Sequence, residues 1–333
     1  MGQSMKKLAD RLGSKLLTLL VLFVVIIIIF TVWAELVGQT FLNRMIITTI
    51  GEKLVLTSFL AIGSGFLMVS GKLDLSASTI GAFSSVISAA CLSYWGVPTG
   101  PAIVIALVSS TVFGILNAVL VSEFNFAPFI GTLAMASVVR GVAMFVSVSP
   151  LTGQPMTVQF ANDATRWIAD GRILGIPAML LLSIIAFIVY GVILAKTEFG
   201  MKIYMVGGNP HAAHLCGISP KKMTYMLYAN SAFLAGVAGV IFMSRQQYGD
   251  FSALGGNQFT GLTAAILGGV SFGGGSGNMG GVFIGLMLLN SFDMGTTIVR
   301  FSHYWTTVLT GVLLLFALML DYYGERKVQA SLK

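Results

Sequence analysis

Residues 196–222 read KTEFGMKIYMVGGNPHAAHLCGISPKK, a polar island between two apolar runs. The island carries Lys196, Lys202, Lys221 and Lys222 against a single acid, Glu198. Positive excess beside apolar spans marks the cytoplasmic side of a membrane. Within it, Gly207-Gly208-Asn209-Pro210 reads as a turn that starts a helix, because glycine permits tight backbone and proline suits a first helical turn. His211, Ala212, Ala213, His214, Leu215 and Cys216 then supply about one and a half turns. Gly217 is the stop, and Ser219-Pro220 follows Ile218. A short helix fixed by turns at both ends, showing Ala and Leu beside His, has the form of something another protein grips. The competing reading is an ordinary solvated loop.

Outward from the island, composition sets the class. Hydrophobic residues make up 56% of the 333 and charged residues 9%, which predicts an integral membrane protein rather than two soluble domains. The net charge of +7 is concentrated at the ends of apolar runs. Anionic headgroups and the inside-positive bias account for it, so the expected partner is the lipid bilayer and not nucleic acid. Cys91 falls in an apolar run and Cys216 in the island, so neither a disulfide nor a metal pair is expected. Lys6, Lys7, Arg11 and Lys15 precede an apolar run too long for a cleavable signal, and none is expected.

A spanning helix needs about 20 mostly apolar residues. Candidate spans are residues 16–34, 54–70, 77–95, 102–121, 127–147, 173–195, 223–243, 258–272, 278–292 and 301–320. The expectation is one all-α, polytopic transmembrane domain over residues 1–333, with about ten helices. Residues 196–222 form its cytoplasmic loop between helices six and seven. Helix continuity fails at Ser70-Gly71-Lys72-Leu73-Asp74-Leu75-Ser76. No charge occurs from Phe251 to Phe292, a run that fits two spans broken near Gly273–Gly277. In this threading the inner segments hold 12 of 19 basic residues: Lys6, Lys7, Arg11, Lys15, Lys72, Lys196, Lys202, Lys221, Lys222, Arg326, Lys327 and Lys333. Outer segments hold Arg44, Lys53, Arg166, Arg172, Arg245 and Arg300, which supports both termini being cytoplasmic.

Polar residues inside spans each carry two readings. Arg140 is an intramembrane charge with a functional default, or it snorkels outward or pairs structurally. Asp74 belongs to a substrate path, or with Ser76 it caps the third span, the reading we favour. Asn257, Gln258 and Thr263 make a polar entrance to the eighth span, facing solute or bonding neighbouring helices. Gly273, Gly277, Gly281 and Gly285 recur every four residues, which favours close helix packing over a glycine-lined conduit.

Missing motifs narrow the chemistry. No G-x-x-x-x-G-K-[ST] occurs, so the chain is not expected to hydrolyse ATP. His211, His214 and His303 form no HExxH zinc pattern, and no nucleophile elbow has a partner set. Neither an enzyme nor a cofactor is expected.

Four stretches together resemble the permease subunits of bacterial ATP-binding-cassette importers. The likeness is to the ribose/simple-sugar branch of the branched-chain amino acid/ribose permease superfamily. The stretches are Ser70–Ser76, Gly131-Thr132-Leu133-Ala134-Met135 through Arg140-Gly141, Gly207–Ile218 in the form GGNPxAAxxxGI, and Ala264-Ala265-Ile266-Leu267-Gly268-Gly269. Lys72, Ser78 and Gly261 depart from the usual family pattern. The resemblance implies a homo- or heterodimer of permeases, each docked to a cytoplasmic ATPase, with an extracytoplasmic solute-binding protein delivering a sugar or similar small polar solute. Gly207, Gly208, Asn209, Pro210, His211, Ala212, Ala213, Leu215, Gly217 and Ile218 are then the ATPase-coupling segment. Asp74, Ser76, Arg140, Asn257 and Thr263 are candidates for the translocation path. The alternatives are an amino acid permease of the same superfamily, or an ion-coupled carrier or channel using Arg140 and Asp74.

Overall fold

Long apolar runs have one way to satisfy their backbone in a bilayer, and here they become helices. A computed structural model describes residues 14–150, 152–173, 175–257 and 259–302, with 304, 305, 308, 309, 311, 312, 315 and 319 beyond. The expected span at 301–320 falls largely outside the described residues, as do Gln258 and His303. The helices before the island are α1 (Ser14–Leu36), α2 (Arg44–Val69), α3 (Ala77–Ser93), α4 (Thr99–Ser122) and α5 (Pro128–Val146). A surface helix, α6 (Asp163–Asp170), precedes α7 (Ala178–Lys196). The island folds as α8 (Glu198–Gly208) and α9 (Pro210–Leu215), and α10 (Pro220–Gln246), α11 (Thr260–Leu267) and α12 (Met279–Ile298) follow. Four two-residue strands pair antiparallel: β1 (Val158–Gln159) with β4 (Tyr248–Gly249), and β2 (Arg172–Ile173) with β3 (Ile176–Pro177).

Among the described residues, seven helices are long and apolar enough to cross a membrane: α1, α2, α4, α5, α7, α10 and α12. Helix α3 is apolar but shorter, at 17 residues. Helix α2 starts at Arg44, well before residue 54. The Asn43 side chain caps it by accepting from Met45 N at 3.1 Å. Glu52 and Lys53 stay inside the helix because each has a partner across a helix interface, Arg245 for Glu52 and Asp293 for Lys53. The β2–β3 hairpin takes up residues 172–177, so α7 begins at Ala178.

The stretch expected to hold the eighth span is broken. Among its described residues only Thr260–Leu267 is helical, about 12 Å of rise. After β4, residues 250–254 approach it as irregular chain against the middle of α3, with Asp250 N donating to Ser85 Oγ at 3.2 Å. Such backbone survives at membrane depth where protein surrounds it, and Ala253 and Leu254 are buried.

Helix α10 is the hub, packed against α2, α3 and α4, while α1 lies at the edge chiefly against α12. Helices in lipid gain little from burying apolar surface against each other, so close packing and hydrogen bonds hold them. Ser84 Oγ donates to Gly236 O at 2.8 Å between α3 and α10. A methyl added at Gly281 or Gly285 would lie 2.0 Å from Gly268 O or 2.3 Å from Ala264 O, so these two glycines seat α12 on α11. Gly273 and Gly277 fall in the turn before α12, where the four-residue spacing has no helix to act on.

Candidate functional site

Two features stand out: an exposed short helix in the island, and a buried polar network where the bundle is interrupted. Helix α9 is fixed by its caps. Asn209 Oδ1 accepts from His211 N at 3.1 Å and Ala212 N at 3.0 Å, and Pro210 occupies the first turn. At the other end Gly217 adopts φ +80°, and Ile218 N returns to Ala213 O at 3.0 Å. Ser219 Oγ then accepts from Lys222 N at 3.3 Å, starting α10. Ala213 is buried under the helix, whereas His211, Ala212, His214 and Cys216 are exposed and Leu215 is 75% exposed. The capped helix thus leaves Leu215 exposed beside His214.

Helix α8 had no reading in the sequence beyond "loop". Thr197 caps it, accepting from Gly200 N at 3.2 Å, and Ile203 and Val206 are its buried side. Nearby, Glu123 accepts from Lys221 Nζ at 2.6 Å and from the Tyr225 hydroxyl at 2.8 Å. The hydrogen bond from Lys221, then that from Tyr225, holds the Glu123 carboxyl below its ordinary value.

The buried network is built around Asp74. Its Oδ1 accepts from Ser76 N at 2.8 Å and Ser76 Oγ at 2.6 Å, and its Oδ2 from Ser231 Oγ at 3.1 Å. Asn117 Nδ2 on α4 donates to Ser76 Oγ at 2.7 Å, and Leu75 N donates to Thr132 Oγ1 on α5 at 3.1 Å. The Tyr228 hydroxyl on α10 donates to Leu73 O at 2.8 Å. Asp74, Ser76, Asn117, Thr132, Tyr228 and Ser231 are all buried. The segment 70–76 is thereby tied to three helices at the start of a fourth, and Asp74 holds Ser76 just before α3, although the Ser76 side chain makes no cap bond to that helix. Asn117 Oδ1 has no partner among the described residues.

The remaining sequence candidates do not join this network. Arg140 is exposed on α5, about 12 Å along the helix from Thr132. Thr263 is buried in α11 and Asn257 half-buried at the end of a 3-10 turn (Gly255–Asn257). The sequence reading assigned no site role to Asn117, Thr132, Tyr228 or Ser231, although Thr132 stands in one of the four stretches above, because a lone polar residue in an apolar run has no local partner to announce it. No group of three or more His, Cys, Asp or Glu side chains able to hold a metal occurs among the described residues.

Comparison with known proteins adds five findings. The family described as branched-chain amino acid transport system / permease component matches residues 45–318. The ribose import permease protein of Bacillus subtilis is 30% identical over 94% of each chain. The ribose import permease protein of Escherichia coli is 29% identical over 79% of this chain and 81% of its own. An L-arabinose ABC transporter permease protein of Azospirillum brasilense is 28% identical over 81% and 78% respectively. No solved structure gives a significant match.

Proposed function

Because the chain belongs to the branched-chain amino acid transport system / permease component family, we propose that it is the transmembrane subunit of an ATP-driven importer. It is a multi-pass protein of the inner membrane, and its cargo is a sugar or similar small polar solute. ATP is hydrolysed on a separate cytoplasmic subunit, and an extracytoplasmic binding protein delivers the solute. A second permease subunit completes the complex. The island is cytoplasmic in this reading, with both termini on the same side and ten spans in all.

The observation that carries the proposal is α9, capped at both ends, with His211, His214 and Leu215 open for contact. Gly207, Gly208, Asn209, Pro210, His211, Ala212, Ala213, Leu215, Gly217 and Ile218 form the ATPase-coupling segment. Asp74, Ser76, Arg140, Asn257 and Thr263 border the path in this reading. The test uses Gly208→Trp, since Gly208 is exposed and a Cβ there meets nothing within 4 Å. This variant, and deletion of Asn209–Leu215, should insert normally yet lose both the co-purifying ATPase and solute uptake. Normal uptake by the deletion refutes the proposal.

The family description names amino acids and the relatives above name ribose and arabinose. Competition of labelled ribose, arabinose and leucine for uptake separates the two classes.

A further inference from the structure

Helix α9 is joined to the bundle main chain against main chain. Three segments distant in sequence meet beside it: Val69–Gly71 after α2, Gly207–Gly208 at the end of α8, and Gly273–Gly277 before α12. Gly275 N donates to Val69 O at 2.8 Å. A Cβ on Gly207 would lie 1.9 Å from Val69 O and 2.6 Å from Gly275 N. One on Gly275 would lie 2.8 Å from Gly208 Cα, and one on Gly274 2.7 Å from Gly71 N. Gly274 and Gly275 also hold φ of +87° and +75°, which favours glycine on conformational grounds. About one turn before Gly207 on α8, the Tyr204 hydroxyl donates to Gly277 O at 2.6 Å.

We infer that this junction makes α8–α9, the segment 69–76 and the turn 273–277 one rigid unit, with Gly207, Gly275 and Tyr204 as positioning residues that carry a displacement of α9 to the Asp74 network. The inference rests on α9 being the ATPase-docking element. Main chain in direct contact has no side-chain rotamers to absorb a push, so a shift of α9 reaches Val69 undiminished. Asp74 lies three residues past Gly71, in a segment anchored to α4, α5 and α10. Displacement therefore arrives at the interrupted part of the bundle through a short covalent path. A second route leads through Gly277 to Asn278, whose side chain caps α12 by accepting from Gly281 N at 2.7 Å.

The test measures distance inside the intact complex with its ATPase subunits. Spin labels are placed on the exposed native Cys216 and on Lys72→Cys, with buried Cys91 changed to Ser. Pulsed EPR then compares the resting and the ATP–vanadate-trapped states. The rigid unit predicts one narrow 72–216 distance, the same in both states. Gly275→Ala, or Tyr204→Phe, which keeps the ring and its packing, is expected to make that distance shift on trapping while the ATPase still co-purifies. A wild-type distance that changes by several ångströms on trapping, or variants that keep the wild-type invariance, overturns the inference. Absence of ATPase from the wild-type preparation overturns the docking reading beneath it, and is seen before any label is read.

Discussion

Replacing Asp74 by Asn and by Ala separates the work of its shape from the work of its charge. The carboxylate accepts from Ser76 N, Ser76 Oγ and Ser231 Oγ, all buried. Alanine strands three donors, and at about 1 kcal/mol for each buried donor left without a partner the loss is about 3 kcal/mol. Hydrogen bonds between membrane helices measured by mutant cycles average about 0.6 kcal/mol each, which sets a lower figure of about 2 kcal/mol. Asparagine keeps Oδ1 for both Ser76 donors. Its amide donates to Ser231 Oγ, which accepts as readily as it donates, so the cost falls below about 1 kcal/mol. Denaturation in mixed SDS micelles, read by circular dichroism, measures both variants, and solute uptake is read in parallel. The expected result is a near-native Asp74→Asn that transports, beside an Asp74→Ala weakened about 30-fold to 150-fold in its folding equilibrium. An Asp74→Asn as unstable as Asp74→Ala, or one that folds and does not transport, refutes a purely structural role for Asp74 and makes the charge or its proton part of transport.

Two further outcomes follow from the ion pairs. The Glu123 carboxyl is held below its ordinary value of 4.5, so its stabilising contribution is full above that value and is lost as pH falls through the lowered one. Glu123→Gln should therefore unfold at a lower temperature than the native chain at pH 6–8, with the difference shrinking below about pH 4; a gap that widens in acid contradicts this sign. Lys53 and Asp293 pair across α2 and α12 with both side chains 40% exposed, so a Lys53→Met/Asp293→Asn double-mutant cycle should give a coupling of only about 0.2–1 kcal/mol.

What the sequence made legible was what local chemistry decides. Asn209-Pro210 and Gly217 bracket α9 through hydrogen bonds spanning two to five residues, and a charge-free run from Leu16 is sufficient for α1. Features made by distant partners were hidden. Glu52 and Lys53 looked like the flank of a span, because their partners Arg245 and Asp293 lie 193 and 240 residues away. Lys221 counted toward sidedness, although it also binds Glu123. The run 251–292 was readable as charge-free, but apolarity says nothing about whether backbone is helical. Its irregular first part is specified by Ser85 and by close contact with α3. That Asp74 stands at the entry to α3 was legible from its place in the chain, whereas the hydroxyls and amide that enclose it were not. The junction of Val69, Gly207 and Gly275 left only separate glycines in the sequence, with no sign that they meet.

The central claim is that α9 faces the cytoplasm, where an ATPase can hold it. Cys216 reports this directly, because it is exposed at the end of that helix while Cys91 is buried. A membrane-impermeant maleimide applied to intact spheroplasts and to inside-out vesicles is the decisive measurement. The account predicts labelling of Cys216 in inside-out vesicles and none in intact spheroplasts. Labelling in intact spheroplasts would put the helix on the outer surface and contradict the account.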